Sequence, residues 1–237
     1  MKILVLAPHP DDESIIGLLP LRLKEECRAR VWVAPATLGS HVPRQGARRK
    51  ELQAAVRVLG FEAVFPEKKL TAAGLARLLR ELEPGVLFLP HARDGHATHR
   101  AAHLLGVAAM DRVGKKMAVV ETEYWHPLQR PNLMVSASRR HLATLQRALR
   151  CHAGEVARND YAARLPAWMS DNVRRGAELV GGAGGAAPDM AYATLYRARL
   201  RRAGKWQPLF RGGRIIRTGA DLKAFAELLG QSPSRRA

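Results

Sequence analysis

The sequence predicts an α/β fold: a mostly parallel sheet with helices on both faces and a less regular C-terminal part. Three observations carry this. Short apolar runs alternate with longer helical stretches from Lys2 to about Arg150, the pattern of repeated βα units. Helix punctuation falls where that alternation needs it, with Thr71 opening one stretch and Gly60 ending another. Polar, chemistry-bearing clusters follow two of the apolar runs. Open parallel sheets place ligands at such strand ends, where exposed loops rest on rigid strands.

The first strand covers 2–7, where Ile3-Leu4-Val5-Leu6-Ala7 is apolar without alternation, as expected of a strand buried on both faces. A helix is predicted over 14–28, then a strand over 29–35 built on Val31, Trp32 and Val33. A helix over 45–59 stops at Gly60, a short strand falls near 63–65, and Thr71 opens a helix over 71–82. Val86–Leu89 forms the next strand and 99–112 a further helix. Met117–Thr122 and Leu133–Ser136 read as strands, and Arg139–Arg150 as an amphipathic helix. The Gly-rich stretch 181–188 reads as a loop, because it neither follows a strand nor opens a helix as a phosphate cradle would. No internal repeat is visible. The whole reads as one Rossmann-like domain over 1–230, with its core motifs in 1–112 and a C-terminal extension of the same domain from about 117. The tail 231–237 reads as disordered.

At 237 residues the chain can bury a core without needing disulfides or structural metals. Its two cysteines, Cys27 and Cys151, provide neither a disulfide framework nor a CxxC zinc pattern, so any metal would be held by His and carboxylates. No secretory or membrane-spanning apolar segment is present, and a cytoplasmic location is expected. The net charge of +18 comes from 39 Lys and Arg against 21 Asp and Glu. The excess is scattered, densest at Arg197, Arg199, Arg201 and Arg202, and reads as solvated surface rather than a nucleic-acid or membrane footprint. At 5% aromatic residues, stacking platforms for single strands are not expected.

Directly after the first strand stands His9-Pro10-Asp11-Asp12-Glu13, one imidazole and three carboxylates. Alone, the segment fits two readings: a metal or acid/base site, or a helix start whose acids are favoured by the macrodipole. After the strand ending at Leu89-Pro90 comes His91-Ala92-Arg93-Asp94-Gly95-His96-Ala97-Thr98-His99, which holds three of the nine histidines. Two strand ends of one parallel sheet can converge on one crevice. Together they offer two His and one carboxylate to a metal, with other acids and an imidazole left over.

At these residues the sequence resembles the zinc-dependent deacetylases of N-acetylglucosaminyl-phosphatidylinositol, mycothiol and bacillithiol biosynthesis. Arg48-x-x-Glu51-x-x-x-Ala55-x-x-x-Leu59-Gly60 has the family's spacing between the two clusters. The likeness covers about the first 105 residues. It implies His9, Asp12 and His99 as ligands of one Zn²⁺ or another divalent metal, Asp11 as general base, and His96 as the group that stabilises charge or protonates the departing amine. It further implies that Arg48 holds the substrate and that Asp94 sits close to it, orienting His96. Members often form homo-oligomers. Departures are Ala97 and Thr98 in place of Pro and Asp, His152 in a segment that resembles Ala-Leu-x-x-Tyr-x-Ser-Gln, and Thr194 in place of Glu in Tyr192-Ala193-Thr194-Leu195-Tyr196.

Of the remaining candidates, His126 in Tyr124-Trp125-His126-Pro127 follows a predicted strand and is a candidate substrate contact. His91 reads as a loop residue, Glu13 as a helix-start residue with a supporting hydrogen bond, and His41 as an exposed loop residue. His103 and His141 read as ordinary helix residues. The resulting expectation is zinc-dependent hydrolysis of an N-acetyl group from a small amino-sugar conjugate, giving acetate and an amine. Two other classes fit less well. A metal-dependent phosphoesterase would suit the positive charge but often calls for a second metal site with more carboxylates. A non-catalytic anion-binding protein would not need all five implied positions.

Overall fold

The computed structural model describes residues 1–66 and 69–230; the predicted disordered tail lies outside them. The chain runs β1 (Lys2–Ala7), α1 (Asp12–Ile15), α2 (Leu18–Cys27), β2 (Arg30–Pro35), α3 (Val42–Leu59), β3 (Glu62–Ala63), α4 (Ala72–Leu82), β4 (Val86–Pro90), α5 (Ala97–Val113), β5 (Met117–Thr122), β6 (Leu133–Ala137) and α6 (Arg139–Arg150). The remainder adds α7 (Ala153–Arg158), α8 (Tyr161–Leu179), β7 (Tyr192–Arg202), β8 (Lys205–Pro208), β9 (Arg214–Ile216) and α9 (Gly219–Gly230).

The strands form one sheet in the order β3-β2-β1-β4-β5-β7-β6-β9, with β8 hairpinned onto β7. From β3 to β5 all neighbours are parallel; β7 runs antiparallel to β5, β6 and β8, and β9 is parallel to β6. The unbroken apolar run of β1 has the cause expected of it. Ile3 and Val5 enter a core with α2, α3 and α6, whereas Leu4 and Leu6 enter a second core with α4 and α5. Covering both faces requires apolar residues at every position, which erases the alternation of a half-exposed strand.

Two expectations are corrected. The helix predicted over 14–28 is broken at Ile16-Gly17 into α1 and α2. Pro20 has no N–H to give the Ile16 carbonyl four residues back. The Tyr196 hydroxyl fills that gap, donating to the Ile16 carbonyl at 2.8 Å and accepting the Leu19 N–H at 3.1 Å. The second correction concerns the charge cluster. Arg197, Arg199 and Arg201 alternate along β7, deep in the sheet. Arg199 donates to Glu121 at 2.6 Å and lies over the Trp206 ring at 3.9 Å, and Arg201 forks onto Asp111 at 2.7 and 2.9 Å. Arg199 and Arg201 thus bolt β7 and β8 to β5 and α5 and are not a solvated face, whereas Arg202 is exposed. No helix among the described residues is long and apolar enough to cross a membrane.

Candidate active site

β1 and β4 are adjacent and parallel, with Val5 in register with Phe88. The chain leaves β1 toward β2 and later returns to β4 on the other side, so the strand order reverses here and a crevice opens beyond the carboxyl ends. His9 to Asp12 emerge from one strand and His91 to His99 from the other.

Asp12 is the hinge of the site. Its Oδ2 accepts the His9 backbone N–H at 2.8 Å and lies 3.4 Å from His9 Nδ1 and 3.3 Å from His99 Nε2. Burial opposes its ionisation, but His99 and His9 outweigh that and hold its carboxyl well below the usual range. His99 is likewise pulled down by burial, and the Asp12 and Asp94 carboxylates lift it to about 10. In the neutral ring, the form a cation would bind, Nδ1–H donates to Asp94 Oδ2 at 3.2 Å, which leaves the Nε2 lone pair buried and without a hydrogen-bond partner among the described residues. A carboxylate behind one imidazole nitrogen and an unused lone pair on the other is how proteins prepare a histidine for a metal.

One ring nitrogen each of His9, His96 and His99 falls within 4.8 Å of the others. His96 differs from the other two in its bonding. As the N-cap of α5 its Nδ1 accepts the Thr98 N–H at 3.2 Å. Ligation through Nδ1 would compete with that bond, and ligation through Nε2 would move the ring proton to Nδ1 and set two N–H groups against each other. The bonded tautomer carries its proton on Nε2. Burial, with His9 and His99 alongside, keeps this imidazole below its ordinary pKa.

Asp11 lines the same cleft with a strained backbone, φ 117° and ψ −34°. Glu13 holds that backbone, accepting the Asp11 N–H at 2.9 Å through Oε2. The other Glu13 oxygen accepts from the Ser14 hydroxyl at 2.6 Å and from His152 Nε2 at 2.8 Å. Burial, reinforced by Asp12 and Glu13, pushes the Asp11 carboxyl well above the usual range, against the pull of Arg48. His152, remote in sequence, is fully buried behind this loop. Its site role was not legible, because it reaches Glu13 across 139 residues.

The cleft over these groups has a volume of about 1190 Å³. Arg48 lines it, but its Nη2 is engaged, 3.1 Å from the Pro10 carbonyl and 3.5 Å from Glu155. Gly39 makes room for that guanidinium: a Cβ there would come within 2.5 Å of Arg48 Nη1, and its φ of +96° also favours glycine. Two expectations move. Asp94 is buried beneath the site and orients the His99 ring; toward His96 it accepts only the backbone N–H, at 2.8 Å. It is therefore a support and not a substrate contact. His126 is exposed and does not line the cleft, and its carbonyl instead accepts from His91 Nε2 at 2.8 Å. Its neighbour Trp125 lines the cleft, together with Tyr161 and Glu155.

Residues 4–110 match the family model described as PIG-L, GlcNAc-PI de-N-acetylase. No curated protein matches the chain. Among solved structures, the conserved protein TT1542 from Thermus thermophilus is similar at 22% identity and TM-score 0.64, over 83% of this chain and 93% of that one. GalB, the 4-carboxy-2-hydroxymuconate hydratase from Pseudomonas putida, is similar at 20% identity and TM-score 0.62, over 83% and 95%. N,N'-diacetylchitobiose deacetylase from Pyrococcus horikoshii is similar at 16% identity and TM-score 0.62, over 83% of each chain. At these identities the likeness establishes the fold, and one scaffold carries a hydratase as well as a deacetylase. The segment that matches the PIG-L, GlcNAc-PI de-N-acetylase, model thus holds His9, Asp11, Asp12, His96 and His99, within a chain whose fold is similar to that of these solved structures.

Proposed function

We propose that this chain hydrolyses the N-acetyl group of an amino-sugar conjugate, with a Zn²⁺ held by His9, Asp12 and His99. The observation that carries the reading is the division of labour between adjacent carboxylates. Asp12 Oδ2 faces two imidazoles, whereas no hydrogen bond among the described residues engages the Asp11 carboxylate in the cleft. Neighbouring acids driven to opposite behaviour are the mark of an acid/base site. The donor set of two imidazoles and a carboxylate, with the His99 Nε2 buried and making no hydrogen bond among the described residues, suits zinc in its catalytic form.

The cation, when bound, would polarise the amide carbonyl and the attacking water. Asp11 accepts the proton of that water as its oxygen bonds to the carbonyl carbon. Its elevated pKa lets it keep the proton through the step. His96 presents Nε2–H as a hydrogen-bond donor to the charge that develops on the carbonyl oxygen, and the proton taken up by Asp11 passes to the amine nitrogen as the carbon–nitrogen bond breaks. Acetate and a free amine leave, with Asp11 again a carboxylate and His96 unchanged. Free thiols at Cys27 and Cys151 fit a reducing cytoplasm.

Purified protein is expected to carry about one zinc per chain and to release acetate from N-acetylglucosamine conjugates. His99→Ala should lose both. Acetate release that persists undiminished in metal-depleted protein and in His99→Ala would remove the reading.

A further inference from the structure

Trp125 is 47% exposed, unusual for so large an apolar ring, and it lines the cleft. It is not a loose side chain. Tyr124 and Tyr161 meet it edge-to-face, with centroids 5.5 and 5.6 Å away, and Trp168 backs Tyr124 at 5.4 Å. The backbone on either side is pinned. His91 Nε2–H donates to the His126 carbonyl at 2.8 Å, and Glu123, itself held by Arg175 at 2.7 Å, accepts the Leu128 N–H. Buried polar groups thus fix an indole that leaves much of its own apolar surface in water. Rigid aromatic surface kept exposed inside a concave site is ligand-binding surface.

The position selects the part of the ligand. The indole borders His96, with ring centroids 6.2 Å apart and planes tilted by 37°. In an N-acetylated amino sugar the amide nitrogen is attached directly to a ring carbon, so the group beside the scissile amide is the pyranose itself and any aglycone lies farther off. We infer that Trp125 is the platform on which the C–H face of that pyranose ring stacks, an inference that rests on the reaction proposed above. Tyr124 and Tyr161 hold the platform, and His91, Glu123 and Arg175 are positioning residues for its loop.

The test compares wild type, Trp125→Ala and Trp125→Phe on the methyl glycoside of N-acetylglucosamine, with indole fluorescence recorded during titration. Removing the ring is expected to raise KM about tenfold while kcat moves far less, and Phe should recover most of the loss. The glycoside should alter wild-type fluorescence, and that change should vanish in Trp125→Phe although binding persists. An unchanged KM in both variants overturns the platform even if acetate is released, and leaves the deacetylation reading standing. So does a defect confined to glycosides with a large aryl aglycone. A fluorescence response that depends on Trp125 without acetate release supports the platform and removes the proposed reaction instead. Thermal melting of Trp125→Ala shows whether a loss reflects folding, and Trp125→Phe decides the matter if it does.

Discussion

Asp11 and Asp12 are chemically identical neighbours whose surroundings give them different work. Asp12 is taken up by His9 and His99, while Asp11 is turned into the cleft by a backbone at φ 117° that Glu13, Ser14 and Ile15 hold in place. Asn keeps the shape of Asp11 but cannot accept a proton. Asp11→Asn is therefore expected to lower acetate release by about 10²–10⁴-fold with zinc content unchanged, as read by steady-state kinetics beside metal analysis. Loss of zinc along with activity would mean that Asp11 is a ligand. His96 was legible as a site residue because it precedes His99 at a strand end, but its tautomer was not. That depends on the Thr98 N–H, a consequence of His96 capping α5.

Two elements owe their form to groups far along the chain. The break between α1 and α2 depends on the Tyr196 hydroxyl from β7, which is entirely buried. Tyr196→Phe leaves the Ile16 carbonyl and the Leu19 N–H without their partner and should cost about 1–3 kcal/mol, measured by urea unfolding. In α5, burial holds the His103 imidazole below its ordinary pKa, against the raising effect of its bond to the Pro90 carbonyl at 2.9 Å. The folded chain then resists a proton that the unfolded chain accepts. The resulting stability is complete above the unfolded pKa of about 6.5 and is lost as pH falls below it. His103→Gln should accordingly show a smaller drop in urea midpoint than wild type between about pH 7.5 and pH 5.5. An equal drop would show that His103 does not titrate differently on folding.

At the scale of the molecule, one apolar cluster contains both Ile3 of the first strand and Phe225 of the last helix. β7 is inserted between β5 and β6, although it follows both in sequence. The motif-bearing N-terminal half thus leaves β4 without its outer neighbours and much of a core face bare. A fragment ending at residue 116 is expected to show no cooperative thermal transition by circular dichroism, whereas the full chain melts in a single one. A cooperative melt of the fragment would make 1–116 a domain in its own right. The elements of the first half were legible because each carries its own signal, such as apolar β1, Thr71 capping α4 or Gly60 ending α3. The second half was not. Alternating arginines disguise β7, and Pro166 interrupts the pattern of α8.

By itself the sequence determined the parallel βα order, the two strand ends that bear the chemistry, and the identity of His9, Asp11, Asp12, His96 and His99 as one candidate site. The strand order and the two clusters follow from local patterns, burial on both faces, caps and ligating side chains after strands; the choice of those five residues follows from the resemblance of their motifs. Only the tertiary structure decided that Asp94 serves His99, that His152 stands behind Glu13, that Arg199 and Arg201 of β7 are internal ties, and that Trp125 rather than His126 meets the cleft. Each of these depends on which distant side chain occupies the far end of a hydrogen bond or the far wall of a cavity. No spacing along the chain encodes that.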